Sequence, residues 1–194
     1  MKVLLLNPHS GRFEIPVYPL GLASLGAALK GHELEGCDLQ LEERPLESLR
    51  QRLDDFAPEV VAVSLRNVDS SASYDGFSYL PAFEACLQEI RHTCPEARVV
   101  VGGPGFSLFP AAIMERFPEI DLGIAFEGEV TLPGLLGSLD RPHEVGGLCY
   151  RADGEVQVNS RGPEVDFAVL APPDRSLFRV ADSVSYTHLR AHET

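Results

Sequence analysis

The chain has 194 residues, 44% of them hydrophobic, which suffices for one core of ordinary size but not for two. Its 29 acidic and 16 basic residues give a net charge of -13, which argues against nucleic-acid phosphates and anionic lipids as partners. No stretch reaches the roughly 18 apolar residues of a membrane span, and the apolar run after Met1 is too short for a signal peptide. We therefore expect one domain with an appendage, in a cytoplasmic protein that binds neither nucleic acid nor membrane.

Short apolar runs alternate with amphipathic segments along most of the chain. The apolar runs are continuous, which favours strands buried on both faces, and their alternation with helices makes the sheet parallel. Strands are predicted at 2–7, 39–43, 60–65, 98–103 and 120–129, and helices at 20–31, 46–58, 80–95, 110–118 and 131–139. Composition does not fix the strand order, but the flavodoxin-like order 2-1-3-4-5 suits five strands. The sequence thus predicts an α/β fold over residues 1–140, a doubly wound, five-stranded, Rossmann-like sheet between two layers of helices.

The character of the chain changes after residue 140. Two β-like runs surround the turn-forming ADG within 145–160, which predicts a β-hairpin. The proline-rich stretch that follows is typical of a linker. We therefore assign 141–184 to a hairpin and a linker that leads to another domain.

The last ten residues, SYTHLRAHET, break with the preceding pattern. They resemble a read-through peptide left by adapter or vector sequence, so we expect 185–194 to be a non-native tail and the chain to be a truncated fragment. His188 and His192 are excluded from the site for this reason. A genuine disordered C-terminus is the alternative, and it leaves the interpretation of 1–140 unchanged.

The loop after the fourth predicted strand is rich in glycine. Ligands of doubly wound sheets bind beyond the carboxyl ends of the strands, where this loop lies. Gly102, Gly103 and Gly105 surround Pro104, so the backbone can turn sharply and a flat or bulky ligand can approach without meeting a Cβ. A tight turn without a ligand explains the motif equally well.

The loop after the third predicted strand is long and polar, as functional loops often are. Ser64 ends the strand, where its hydroxyl can hydrogen-bond a ligand, and Arg66 and Asn67 follow. For Ser70, Ser71 and Ser73, a solvated loop capped by its own serines is the competing interpretation.

Two carboxylates flank Gly128 after the fifth predicted strand, in the sequence FEGE. Glu127 and Glu129 can accept hydrogen bonds from ligand amides or hydroxyls, or stabilise the start of the next helix. We favour the helix for Glu129 and the ligand for Glu127.

No catalytic residue is assigned, because the sequence contains no GxSxG, HExxH or Walker lysine motif. His9, in the first loop, is a candidate metal ligand as a neutral imidazole, although a solvated histidine is the favoured interpretation. The four cysteines form neither CxxC nor CxxxCxxC, and we expect reduced, structural thiols. These cysteines are Cys37, Cys86, Cys94 and Cys149.

Several segments together resemble, in order and spacing, the N-terminal cobalamin-binding domain of cobalamin-dependent radical SAM enzymes. These segments are LLLNP, YPLGLASLGAAL, PEVVAVSLRN, VVVGGPGFSLFP and GIAFEGEVTLPGLL, and the resemblance runs from residue 1 to about 180. It implies the flavodoxin-like fold, with cobalamin across the carboxyl edge of the sheet and its dimethylbenzimidazole tail inserted into the domain. The residues that the resemblance places against the cofactor are Ser64, Leu65, Arg66, Asn67, Gly102, Gly103, Pro104, Gly105, Glu127, Gly128 and Glu129.

The sequence departs from the pattern of these enzymes at two motifs. The CxxxCxxC motif that binds the iron–sulfur cluster does not occur, so we expect no radical SAM chemistry from this chain alone. A downstream barrel domain would carry the 4Fe-4S cluster and S-adenosylmethionine. The DxHxxG motif of methionine-synthase-like domains is also absent, and NxHxG at 7–11 is a shortened version of it. Radical SAM members commonly lack that histidine, which implies base-off cobalt without a protein imidazole.

Two other functional classes stay open. A flavodoxin-like signalling or interaction domain would bind no cofactor, but receiver domains need an aspartate acceptor where the third strand ends in Ser64, Leu65 and Arg66. A flavin or nucleotide binder is the third possibility. The lack of tryptophan argues against flavin stacking, although Tyr74, Phe77 and Tyr79 could stack.

Overall fold

Strands and helices alternate along the chain in the computed structural model, which describes residues 1–12, 15–70, 76–162, 164–166 and 168–179. The strands are β1 (Lys2–Asn7), β2 (Glu33–Asp38), β3 (Val60–Ser64), β4 (Arg98–Gly102), β5 (Leu122–Ile124), β6 (Leu148–Ala152) and β7 (Glu155–Val158). The helices are α1 (Leu20–Ala28), α2 (Pro45–Phe56), α3 (Leu80–Thr93), α4 (Pro104–Leu108), α5 (Pro110–Arg116) and α6 (Gly128–Leu136).

The strands form one sheet in the order β2-β1-β3-β4-β5-β6-β7. The first five are parallel, which confirms the predicted flavodoxin-like order. β6 and β7 follow as an antiparallel hairpin whose turn, Asp153 and Gly154, has two positive φ angles of 52° and 81°. The predicted hairpin is therefore confirmed, but it extends the sheet and is not an appendage.

Both faces of the sheet are covered, as the continuous apolar runs predicted. Alternate residues of each central strand face opposite sides, so Leu4, Val61 and Val99 pack on one face. Val3, Val60 and Val100 pack on the other. The first face lies under α2, α3 and α5, and the second under α1 and α6.

The second strand differs from its prediction: it occupies 33–38, whereas the sequence favoured 39–43. β2 is an edge strand that carries Glu33 and Glu35, so it lacks the apolar run on which the prediction relied. The apolar Leu39 and Leu41 instead form a 3₁₀ turn, whose start is capped by the carboxylate of Asp38.

The other differences lie at the glycine-rich ends of strands. The fifth strand is short and ends at Ile124, so α6 already begins at Gly128. Pro104 opens the short helix α4, which the sequence did not predict. As a result, the N-termini of α4 and α6 lie at the carboxyl edge of the sheet, where the sequence predicted loop or strand.

The segment 168–179 returns to the α1 side of the sheet. Phe178 is buried there, and the backbone N–H of Asp174 donates to the carbonyl of Ala23 at 2.9 Å. A Cβ at Gly36 would lie 2.1 Å from the carbonyl oxygen of Leu177, so only glycine lets this segment approach β2. The chain therefore crosses from the hairpin at one edge of the sheet to β2 at the other.

Candidate functional site

The loops at the carboxyl ends of the parallel strands enclose two neighbouring cavities, which share Ser64. The first, of about 390 Å³, is called the polar cavity here, and its lining includes Asn7, His9, Ser10, Gln40, Ser64, Leu65, Arg66, Asn67 and Tyr79. The second, of about 380 Å³, is called the apolar cavity, and its lining includes Leu22, Leu25, Ala62, Ser64, Gly102, Gly103, Pro104, Phe126, Gly128, Glu129 and Leu132. Both lie where the fold predicts a ligand.

The polar cavity opens between the ends of β1 and β3. The chain turns to opposite sides of the sheet after these two strands, which makes this point the topological switch point. The Asn7 amide donates to Oδ1 of Asp38 at 2.8 Å, and the Gln40 amide donates to the Pro8 carbonyl at 2.7 Å. Burial raises the pKa of Asp38, although the Asn7 amide and the backbone N–H of Gln40, which both donate to this carboxylate, oppose that rise. These bonds hold the amide side chains of the cavity in place.

His9 lines the polar cavity with a defined tautomer. Its Nδ1 accepts a hydrogen bond from the backbone N–H of Gly11 at 3.2 Å. Burial lowers the pKa of His9, which favours the neutral ring, and Nε2 must then carry the proton. That buried Nε2 has no hydrogen-bond partner among the described residues. In this arrangement the free nitrogen is a donor and offers no lone pair to a metal.

The apolar cavity lies over β3, β4 and β5, on the face that α1 and α6 cover. The strand pairing puts Ser64 beside Gly102 and Ala62 beside Val100. Three of these four neighbours are small, so the floor between the two helices stays unfilled. Leu22, Leu25 and Leu132 form walls of the resulting hollow.

The three glycines at the end of β4 are required, or tolerated, for three different structural reasons. Gly103 has a φ of 99°, and a Cβ there would lie 2.8 Å from the Leu65 carbonyl oxygen, so the turn requires glycine. Gly105 packs against the same carbonyl, to which its N–H donates at 2.9 Å, and it lines neither cavity. A Cβ at Gly102 would make only ordinary contacts, 3.5 Å from the Ile124 carbonyl oxygen. Gly102 is therefore the position where an added side chain would take cavity volume.

The turn after β5 separates the two glutamates. Gly128 and Glu129 begin α6 and line the apolar cavity. Glu127 lines neither cavity, and its carboxylate forms an ion pair with Arg161. A hydrogen bond from its own backbone N–H and the Arg161 guanidinium hold the pKa of Glu127 below its usual range.

Sequence reasoning missed several residues of the two cavities. Asn7 and Gln40 are unremarkable in sequence, and only the pairing of β1 with β2 brings them together. Leu22 and Leu25 lie in α1, for which the sequence predicted a helix but no ligand contact. Phe126 stands next to the FEGE glutamates, but its φ of 74° shows only in the structure.

The cysteines are free, and Cys37, Cys86 and Cys149 are buried. Burial raises the pKa of the Cys37 and Cys86 thiols to about 12 and that of Cys149 to about 11, so these thiols stay protonated. The described residues contain no group of three or more side chains that could bind a metal ion. No helix in the described part of the chain is long and apolar enough to cross a membrane.

A flavodoxin-like sheet with two cavities at its carboxyl edge is an architecture that many cofactor-binding domains share. The family model described as "B12 binding domain" matches residues 11–136. The chain therefore belongs to the B12-binding domain family.

Relatives with longer chains share this domain. The tryptophan 2-C-methyltransferase of Streptomyces laurentii is 32% identical over 164 residues, 79% of this chain and 26% of that protein. The solved structure of the radical S-adenosylmethionine methyltransferase TsrM from Kitasatospora setae, with cobalamin and a [4Fe-4S] cluster bound, is 28% identical. The two structures superpose with a TM-score of 0.75, and the match covers 88% of this chain and 31% of the TsrM chain.

The fold recurs in a more distant enzyme. The cobalamin-dependent S-adenosylmethionine radical enzyme OxsB, in a structure with aqua-cobalamin bound, is 24% identical with a TM-score of 0.73, over 95% of this chain and 25% of its own. The chain thus spans about a quarter to a third of the length of these proteins.

Proposed function

We propose that this chain is the cobalamin-binding module of a radical SAM enzyme of the methyltransferase type. The observation that carries the proposal is the hollow over β3, β4 and β5, which small residues leave open at the carboxyl edge of the sheet. Residues 64–67, 102–104, 128 and 129 line one or both of the cavities and are the proposed contacts. Gly105 and Glu127 support these contacts from outside the cavities.

The residues present fit the chemistry of cobalamin. Its nucleotide base is a flat heterocycle, which matches an apolar hollow whose walls are leucines and whose floor is glycine, alanine and serine. Its corrin ring carries amide side chains, which match the amide groups of Asn7, Gln40 and Asn67 in the polar cavity. The glycine-rich turn permits close backbone approach.

Bound cobalamin supplies a cobalt centre for methyl transfer or radical chemistry, and the residues of this chain bind and orient that cofactor. His9 is not proposed as a cobalt ligand. Its Nδ1 already accepts the Gly11 N–H, and its Nε2 carries the proton. A cobalt centre without a protein imidazole is the state that this tautomer supports.

The rest of the proposed enzyme lies outside this sequence. The chain has no CxxxCxxC motif, so the 4Fe-4S cluster and S-adenosylmethionine would bind a radical SAM domain of the same protein, in the cytoplasm. We keep 1–140 as the cobalamin-binding domain and 141–184 as hairpin and linker, although the hairpin shares the sheet. The proposed non-native tail at 185–194 lies outside the described residues.

Retention of cobalamin tests the proposal directly. The chain is incubated with hydroxocobalamin and desalted, and its visible absorption spectrum is recorded. We expect the wild-type chain to retain the corrinoid. Gly102→Val should lose it, because the added methyl groups occupy the apolar cavity.

Gly134→Val is the matched control, because Gly134 lies on the exposed side of α6 with no atom within 4 Å of an added Cβ. This variant should keep the corrinoid. A wild-type chain that is folded by circular dichroism but elutes without colour would contradict the proposal.

A further inference from the structure

Arg161 reaches from the segment after the hairpin to the loop after β5. Its guanidinium carbon lies 5.0 Å from the centroid of the Phe126 ring, and the same guanidinium forms an ion pair with Glu127. Phe126 lines the apolar cavity and Glu127 does not. One cation thus contacts the only aromatic side chain that lines this cavity among the described residues.

Phe126 has an unfavourable backbone conformation. Its φ of 74° lies in the left-handed region, where a bulky side chain is rare, and the residue is 49% exposed. The N–H of Phe126 donates to the Ser107 hydroxyl at 3.0 Å, and that hydroxyl donates to the Gly103 carbonyl at 3.0 Å. Conformations of this kind persist where the surroundings fix them, and they cluster at ligand sites.

Arg161 itself extends from a fixed backbone. The N–H of Gly147 donates to the Ser160 carbonyl at 2.8 Å. The Asn159 amide donates to the carbonyls of Pro142 and Val145, each at 2.8 Å. The hairpin is part of the sheet, so it holds the base of Arg161 at a set position relative to β5.

We propose that Arg161 is a positioning residue that makes the chain select corrinoids that carry a nucleotide base. It holds the Phe126 ring at the apolar cavity, where a flat heterocycle makes an aromatic contact that a corrinoid without the base cannot make. This inference rests on the proposed cobalamin-binding function and deepens it. It assigns a role to the hairpin, which positions the segment that carries Arg161.

Arg161 suits a test because the fold depends on it little. Its side chain is 48% exposed, and exposed ion pairs add little to stability. Arg141 is a matched control: its side chain is 59% exposed and it forms an ion pair with Glu144 at 2.9 Å. Arg141 lines neither cavity.

The experiment compares two corrinoids, hydroxocobalamin and cobinamide, which lacks the nucleotide base. Dissociation constants are measured by absorbance titration for the wild type, Arg161→Ala, Arg161→Lys and Arg141→Ala. We expect Arg161→Ala to weaken hydroxocobalamin about tenfold, the size of one aromatic contact, and cobinamide less than about twofold. Arg161→Lys should give an intermediate loss, because an ammonium lacks the planar guanidinium. Arg141→Ala should change neither constant.

A double-mutant cycle tests whether Arg161 acts through Phe126. Phe126→Ala should reduce the preference for hydroxocobalamin over cobinamide by a similar factor. The variant with both Arg161→Ala and Phe126→Ala should lose no more of this preference than either single variant. Equal weakening of both corrinoids by Arg161→Ala, or additive losses in the cycle, would overturn the inference while cobalamin binding stands. A wild-type chain that binds neither corrinoid would overturn the proposed function, and this inference with it.

Discussion

The two cavities at the carboxyl edge share Ser64 and have similar volumes, but they are built in opposite ways. The polar cavity is made by side chains that are present, among them Asn7 and Gln40, which hydrogen bonds hold in place. The apolar cavity is left open by small residues, Ala62 and Gly102, on neighbouring strands. Substitutions to larger residues should therefore impair binding in the apolar cavity. Substitutions to alanine should impair binding in the polar cavity.

The largest effect is expected at the glycine turn. Gly103→Ala should lower the free energy of unfolding by about 2–4 kcal/mol, because the φ of 99° disfavours a side chain and a Cβ would meet the Leu65 carbonyl. Urea unfolding followed by circular dichroism measures the difference. The adjacent Gly102→Ala is the control and should stay within about 0.5 kcal/mol of the wild type. Equal stabilities for the two variants would show that the turn tolerates a side chain.

The next largest effect is on affinity, and it distinguishes the two cavities by the corrinoid whose binding is weakened. The double variant Arg66→Ala, Asn67→Ala removes polar groups from the polar cavity and should weaken hydroxocobalamin and cobinamide alike, by about tenfold. Absorbance titration gives both dissociation constants. Gly102→Val should instead weaken hydroxocobalamin far more than cobinamide. A double variant that discriminates between the corrinoids would mean that the nucleotide base reaches the polar cavity.

A smaller effect is expected on the pH dependence of stability, and it arises from His9 in the polar cavity. Burial lowers the pKa of His9 from its usual 6.5, so the unfolded chain binds more protons in the window below pH 6.5. The free energy of unfolding should fall as the pH decreases through this window, and His9 should contribute no pH dependence above it.

Urea unfolding at a series of pH values from about 5 to 8 measures this contribution. His9→Asn should flatten the decrease at low pH. His92→Asn, at an exposed position of α3, is the control and should not. The same acid sensitivity in the wild type and in His9→Asn would contradict the assignment of the neutral, buried ring.

The smallest effect is expected at the residue that both cavities share. Ser64→Ala removes one hydroxyl from the end of β3 and should weaken hydroxocobalamin less than about fivefold. Stability should stay within about 0.5 kcal/mol of the wild type, because the change is small and lies at the edge of the core. Absorbance titration measures the change in affinity, and urea unfolding measures the change in stability. Equal losses for cobinamide and hydroxocobalamin would place the contact of the hydroxyl on the polar side only.

The parts of the fold that sequence predicted are those with strong local patterns. β1, β3 and β4 are central strands, so their apolar runs are long and their positions were predicted to within one residue. β2 was misplaced because an edge strand with glutamates lacks that pattern. α4 was missed because Pro104 and Gly105 indicate a turn as readily as a helix.

The candidate site was predictable in outline and not in detail. The composition of the loops pointed to Ser64 and the glycines, since unusual residues at strand ends are a local feature. The different reasons for Gly102 and Gly103 depend on a φ angle and on one neighbouring carbonyl, which composition does not encode. The contact between Arg161 and Phe126 depends on how the hairpin joins the sheet.

The unfilled floor of the apolar cavity also links cofactor supply to the survival of the polypeptide. A domain that leaves about 380 Å³ open over its own strands forgoes packing that it recovers only when something occupies the space. A ligand at a hundred times its dissociation constant would raise the free energy of unfolding by about 2.7 kcal/mol. In a cell short of cobalamin, such a chain would unfold more often and be degraded faster, so its abundance would follow the vitamin supply.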